Sequence, residues 1–123
     1  MAQHCVSRKA FHRCRMLIRT CLLLIECVEI IDELSIKVLN EFGVATRKWP
    51  EKATLFFKFQ GSEDSIRETS RYVESAIAKH GATDYQLASN EQESEDIWQD
   101  RRNALFACLA YRPGCKGWIT DVW

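Results

Sequence analysis

Among the residues of this chain that could do chemistry, one arginine stands in surroundings that do not suit it. A helical wheel drawn through the last third of the sequence puts Ile97, Trp98, Ala104, Leu105, Cys108 and Leu109 on one face. Arg101 falls at the centre of that face, with Gln99, Asp100 and Arg102 outside it. An arginine in an apolar stripe is costly unless it is ion-paired, reaches out to water, or faces a cleft that receives an anion. Its planar fork matches a carboxylate better than a lysine does. Two readings follow from the pattern: a paired or snorkelling structural arginine, or a clamp for the carboxylate of a substrate.

The remaining reactive side chains form no constellation. The cysteines are Cys5, Cys14, Cys21, Cys27, Cys108 and Cys115, and the histidines are His4, His12 and His80. No Cys-x-x-Cys pair occurs and the spacings fit no zinc module, so no metal site is expected and the thiols are read as reduced core or surface residues. Asp32 and Glu33 read as a helix start rather than an acid/base couple, and His80 beside Lys79 sits where a helix commonly ends in a cation. There is no Gly-x-Gly-x-x-Gly, no P-loop, no Gly-x-Ser-x-Gly and no nucleophile with a base. A complete active site within this chain is therefore not expected.

The elements that must hold Arg101 are legible from periodicity. With 123 residues the chain fills one domain; at 46% hydrophobic and 28% charged it is of ordinary globular type, which excludes disordered, collagen-like and disulfide-stapled classes. Seventeen basic residues balance seventeen acidic ones, so no overall field attracts nucleic acid or an anionic membrane. The balance is uneven: before Glu26 the chain carries only basic charges, at Arg8, Lys9, Arg13, Arg15 and Arg19. Residues 1–24 are accordingly read as a basic extension, targeting-like or unrelated to the rest, and 25–123 as the domain. The uncharged stretch Thr20 to Ile25 is far shorter than the roughly 20 residues of a membrane span, so no transmembrane segment is expected.

From Cys27 to Ile31 a short β-branched run predicts a strand, with Asp32 as N-cap of a helix marked by Leu34, Val38 and Phe42 and ended by Gly43. Val44 to Lys52 reads as a connection. Leu55, Phe57 and Phe59 alternate with polar neighbours, with Phe56 alone breaking the polar face, which predicts a half-buried strand. Ser62 caps a helix with the stripe Ile66, Val73, Ala76 and Ile77; Thr83 to Ala88 is a strand; and Asn90, with Glu93 three residues on, starts a long helix to about Tyr111. Trp118 to Trp123 predicts a last extended piece. The expected fold class is α+β: a small antiparallel sheet with helices on one face, a ferredoxin-like cap layer in the order β-α-β-α-β-α-β.

Three stretches carry a further signal. CVEIIDE at Cys27 to Glu33, ATLFFKFQGS at Ala53 to Ser62 and DIWQDRRNALFACLAYRPGCKGWITDV at Asp96 to Val122 resemble the C-terminal cap domain of FAD-linked D-lactate dehydrogenases of the cytochrome type. The likeness runs from about residue 25 to 122 and implies a mitochondrial flavoprotein that oxidises a small D-2-hydroxyacid such as D-lactate and passes electrons to cytochrome c. By the same resemblance Arg101, in the Trp-x-x-Arg stretch, is the residue that binds the substrate carboxylate. Thr120 and Asp121 match the strand that follows but carry no catalytic assignment, and Ile119 stands where related enzymes can have a polar or basic contact. The family's FAD domain and its downstream histidine pair and acid, which bind metal, have no counterpart in this sequence. The expectation is thus a middle slice of an enzyme, without bound FAD or turnover alone. The alternative is a stand-alone α+β module, cytoplasmic in that case, that binds a small carboxylate or a partner protein through an exposed sheet edge.

Overall fold

The computed structural model describes residues 2–5, 24–42 and 44–114. They form four strands and three helices: β1 (Ala2–Cys5), β2 (Ile25–Ile31), α1 (Glu33–Glu41), β3 (Thr54–Phe59), α2 (Glu63–Ala78), β4 (Thr83–Leu87) and α3 (Glu91–Tyr111). The sheet is antiparallel in the order β2-β3-β1-β4. The α+β class and the alternation of strand and helix are those the sequence predicts; the expected last strand, Trp118 to Trp123, lies outside the described residues. β1 belongs to the segment set apart as residues 1–24, and its backbone pairs with β3 on one side and β4 on the other.

Each helix begins where local chemistry dictates. Asp32 accepts a hydrogen bond from the Ser35 amide at 2.9 Å, Ser62 from the Ser65 amide at 3.3 Å, and Asn90 from the Glu93 amide at 2.8 Å. At α3 the Glu93 carboxylate also reaches back past the cap to accept from the Ser89 amide at 2.8 Å and the Ser89 hydroxyl at 2.7 Å. α2 ends in a turn that Gly81 makes possible, its φ of 79° lying in the left-handed region. In β4, Asp84 takes a φ of 62° where an extra residue interrupts the register with β1.

β3 organises the core because both of its faces are apolar. Leu55, Phe57 and Phe59 join Ile25, Val73 and Ile77 under α2. Phe56, on the opposite face, joins Ile31, Ile36, Leu39, Trp49, Ile97 and Ala104 under α1 and α3. The layer arrangement therefore differs from one-sided packing: α1 and α3 share one face and α2 covers the other. The reason is the residue that breaks the alternation, Phe56, which is fully buried between Trp49 (ring centroids 5.3 Å apart) and Trp98 (6.4 Å). The helix α1 also turns otherwise than its predicted stripe: Ile36, Val38 and Leu39 are buried, whereas Leu34 and Phe42 are exposed.

Candidate functional site

α3 packs on the Phe56 face, and its rotation decides which side chain reaches β2. The buried stripe of α3 is Ile97, Asp100, Ala104 and Ala107. Arg101 thus stands beside the buried stripe and not at its centre, and Leu105 and Leu109, assigned by the wheel to the buried face, are each 40% exposed. Asp100, which the wheel placed outside, is fully buried. A polar side chain is buried only with partners, and Asp100 has three: the Thr46 amide at 2.7 Å, the Thr46 hydroxyl at 2.9 Å and the Trp49 indole Nε1 at 2.9 Å. A hydropathy wheel cannot find such a residue, since its partners lie in the loop more than fifty positions earlier.

That loop is fastened at several points. The Asn40 side chain brackets Trp49, donating to its carbonyl at 2.9 Å and accepting from its amide at 3.0 Å. Asn103 donates to the Val44 carbonyl at 2.9 Å. Arg47 lies over the Trp49 ring, 5.7 Å from its centroid, and pairs with Glu93 at 3.3 Å. Together these contacts pin α3 about its own axis, which turns Arg101 toward β2.

There Arg101 forms an ion pair with Glu29, Nε to Oε2. The two meeting atoms are buried, while each side chain as a whole is 30% exposed. Neither terminal nitrogen of the guanidinium has a hydrogen-bond partner among the described residues. The other Glu29 oxygen, Oε1, accepts from the Cys27 thiol at 3.4 Å. Burial, and then that bond to a carboxylate, push the Cys27 thiol up to about 11, which leaves it protonated and unreactive near neutrality.

The ion pair separates two open clefts along the groove between β2 and α3. One, about 500 Å³, is lined by Arg101 and Asp32 with Ile30, Ser35, Ala104 and Leu105. The other, about 780 Å³, is acidic, with Glu26, Glu29, Glu91, Glu95 and Asp96 against Lys58 and Arg102. The second cleft opposes a carboxylate ligand with five acids against two bases, whereas the first offers a guanidinium edge, a hydroxyl and apolar walls with Asp32 as its one acid. Neither suits a dinucleotide pyrophosphate: no glycine-rich turn opens a helix there, and the larger cleft has the wrong charge. Among the described residues no group of three or more His, Cys, Asp and Glu side chains is placed to hold a metal. No described helix is long and apolar enough to cross a membrane. Thr120, Asp121 and Ile119 lie outside the described residues, as do the side chains of His4, Cys5, His12, Cys14 and Cys21.

The family model for FAD linked oxidases, C-terminal domain, matches residues 9–123, nearly the whole chain. The chain belongs to that family. The match begins within the segment set apart as 1–24 and covers every element that builds the groove. Among curated relatives, the D-lactate dehydrogenase [cytochrome], mitochondrial, of Arabidopsis thaliana is 35% identical over 95 residues, 77% of this chain and 16% of that protein. The probable D-lactate dehydrogenase, mitochondrial, of Danio rerio is 33% identical over 95 residues, 77% of this chain and 19% of its own length. Glycolate oxidase subunit GlcD of Escherichia coli is 34% identical over 78 residues, 63% of this chain and 16% of the subunit. The chain therefore spans under a fifth of the length of these relatives. This cap-type domain is a part of the FAD-linked oxidoreductase family, related along most of its length to D-lactate dehydrogenases.

Proposed function

We propose that this domain supplies the carboxylate-binding arginine of a mitochondrial FAD-linked D-2-hydroxyacid dehydrogenase whose substrate is D-lactate and whose electron acceptor is cytochrome c. The observation that supports the reading is the state of Arg101: held at Nε by Glu29, it lines an apolar-walled cleft with both terminal nitrogens unpartnered among the described residues. A small 2-hydroxyacid fits those chemical demands, its carboxylate on the guanidinium and its short alkyl group against Ile30 and Leu105. The names of the relatives, D-lactate dehydrogenase [cytochrome] among them, supply the substrate, acceptor and compartment of the proposal. The FAD of such an enzyme accepts the substrate's reducing equivalents; the residues described here do not fit that group, so its binding is assigned to other parts of a complete enzyme. The role of this chain's own residues is to bind and orient the substrate carboxylate.

The test is a titration of the isotope-labelled 123-residue chain with D-lactate, followed through the arginine side-chain signals by NMR. One guanidinium in an open cleft supports an affinity on the order of millimolar. The Arg101 signals should move and saturate, and Arg101→Ala should abolish the binding. Arg101 signals that stay fixed up to about 50 mM D-lactate, well above that affinity, refute the assignment.

A second reading rests on a separate observation. Leu105, Phe106 and Leu109 are 40%, 65% and 40% exposed, an apolar row along the second half of α3. Such a row suits a protein partner, and gel filtration of the chain at increasing concentration shows whether it self-associates through that row.

A further inference from the structure

The Glu29–Arg101 contact is one-sided, and that gives its two members different tasks. It runs through Nε and Oε2, both buried, as a charge contact without regular hydrogen-bond geometry. The exposed part of the arginine lies beyond Nε, at the end of the guanidinium that has no partner among the described residues. Had Glu29 taken both terminal nitrogens, the fork would be occupied; gripped at Nε, it keeps a planar edge free for a second carboxylate. Glu29 is itself well fixed, standing on β2 in register with the buried Phe56 and receiving the Cys27 thiol on its other oxygen.

The pair also removes the long-range pull on anions, since Glu29 offsets Arg101 and Asp32 lines the same cleft. Recognition there depends on reaching the guanidinium edge at short range.

We propose that Glu29 is a positioning residue that holds Arg101 by Nε, so that the terminal edge of the guanidinium is set toward the cleft of Ile30, Ser35 and Leu105 to receive a small carboxylate. This deepens the carboxylate-clamp reading and rests on it. Two other tasks for Glu29 make different predictions. As a mere tie between β2 and α3 it affects stability and not affinity; as a competitor for the guanidinium it weakens ligand binding, and its removal strengthens it.

The experiment compares wild type, Glu29→Gln and Glu29→Ala as full 123-residue chains, with D-lactate and acetate as probes and the Arg101 Nε–H, Nη and Cζ signals as readout. In wild type the Nε–H proton should exchange slowly with water, and either probe should move Cζ and Nη while that protection persists. Glu29→Gln keeps an acceptor at the same place and drops the charge, so it should bind D-lactate at least as tightly as wild type. Glu29→Ala releases the side chain and should weaken binding by about threefold to tenfold, the cost of re-ordering one long side chain. Affinity in Glu29→Ala that equals or exceeds wild type overturns the proposal, and a lower melting temperature alone does not rescue it. Should Glu29→Ala fail to fold, Glu29→Gln decides: weaker binding than wild type overturns the proposal, and equal or tighter binding with the Nε–H still protected supports it. Arg101 signals unmoved by either probe in wild type overturn the clamp itself, a failure read without any Glu29 variant.

Discussion

Replacing Asp100 by alanine should strongly destabilise this domain, although the residue reads in sequence as one more surface acid of a polar helix. Its side chain is fully buried and accepts from the Thr46 amide, the Thr46 hydroxyl and the Trp49 indole, all within 2.9 Å. Hydrogen bonds to a charged acceptor contribute about 1.5–3 kcal/mol each, and each buried donor left without one costs about 1–3 kcal/mol. The Thr46 hydroxyl can turn elsewhere, so two N–H donors remain stranded. Against that loss stands the relief of no longer burying a carboxylate. The net expectation is about 3–5 kcal/mol, a large share of the roughly 5–15 kcal/mol that holds a domain together.

The isostere sharpens the test. In Asp100→Asn one carboxylate oxygen becomes an NH₂, and no flip of the amide avoids a clash of donors: one oxygen site faces the Thr46 amide and the other faces the Trp49 indole. Asparagine should therefore cost about 2–4 kcal/mol despite its shape, whereas Thr46→Val, which removes only the hydroxyl, should cost about 1 kcal/mol. Urea unfolding followed by far-UV circular dichroism measures all three, and thermal melts should shift by about 3–6 °C for each kcal/mol in a chain of this size. Asparagine as stable as wild type, or alanine costing under about 1 kcal/mol, refutes the view that these bonds fix the rotation of α3.

Three further outcomes follow from the same geometry. Phe56→Ala should cost about 3–5 kcal/mol and broaden the unfolding transition, because Phe56 fills the space between Trp49 and Trp98; a loss under about 1 kcal/mol, seen by the same urea titration, contradicts a two-sided strand. The Cys27 thiol, held at about 11 instead of its ordinary 9.0, should carry about a hundredfold less thiolate at pH 8 than an unfolded cysteine, so mass spectrometry after brief iodoacetamide treatment should find it last to be alkylated among exposed and unfolded controls. The bonds from Ser89, then Arg47, hold the Glu93 carboxyl below its usual range, so its stabilising effect is complete above the ordinary carboxylate pKa and is lost as pH falls through the lower folded value; Glu93→Gln should flatten that acid limb in melts between pH 6 and pH 2, about the range in which carboxylates titrate.

The elements were legible because their signals are local. Asp32, Ser62 and Asn90 cap helices through amides three residues on, and the alternation of Leu55, Phe57 and Phe59 is a property of one strand. Faces were less legible, because burial is a property of pairs of elements. Leu34 and Phe42 are as apolar as Ile36 and Leu39, yet only the latter meet α3 and β3. Phe56 was the one local hint that β3 is covered on both sides, visible as a break in the polar face.

At the site, the sequence singled out Arg101 by its apolar neighbours, and the structure moves it from the middle of that face to its border. The displacement is what suits the residue to the proposed clamp. At the centre of the stripe, a guanidinium needs every donor satisfied by protein, and none is left for a ligand. One step round the helix, with Asp100 taking the buried place and its own three donors, Arg101 reaches the rim of an open cleft and gives up a single nitrogen to Glu29. Neither anchor could be read from the helix alone: Asp100 is explained by Thr46 and Trp49, and Arg101 by Glu29, in elements far earlier in the chain. A long-range polar contact leaves no periodic trace, so the pattern that reveals an odd residue says nothing of what balances it. The adjacent pair, one residue locking the helix and the next extending from it, requires that loosening Asp100 also blur the Arg101 site before the domain unfolds, and weaker D-lactate binding by a still-folded Asp100→Asn chain is the outcome that checks this coupling.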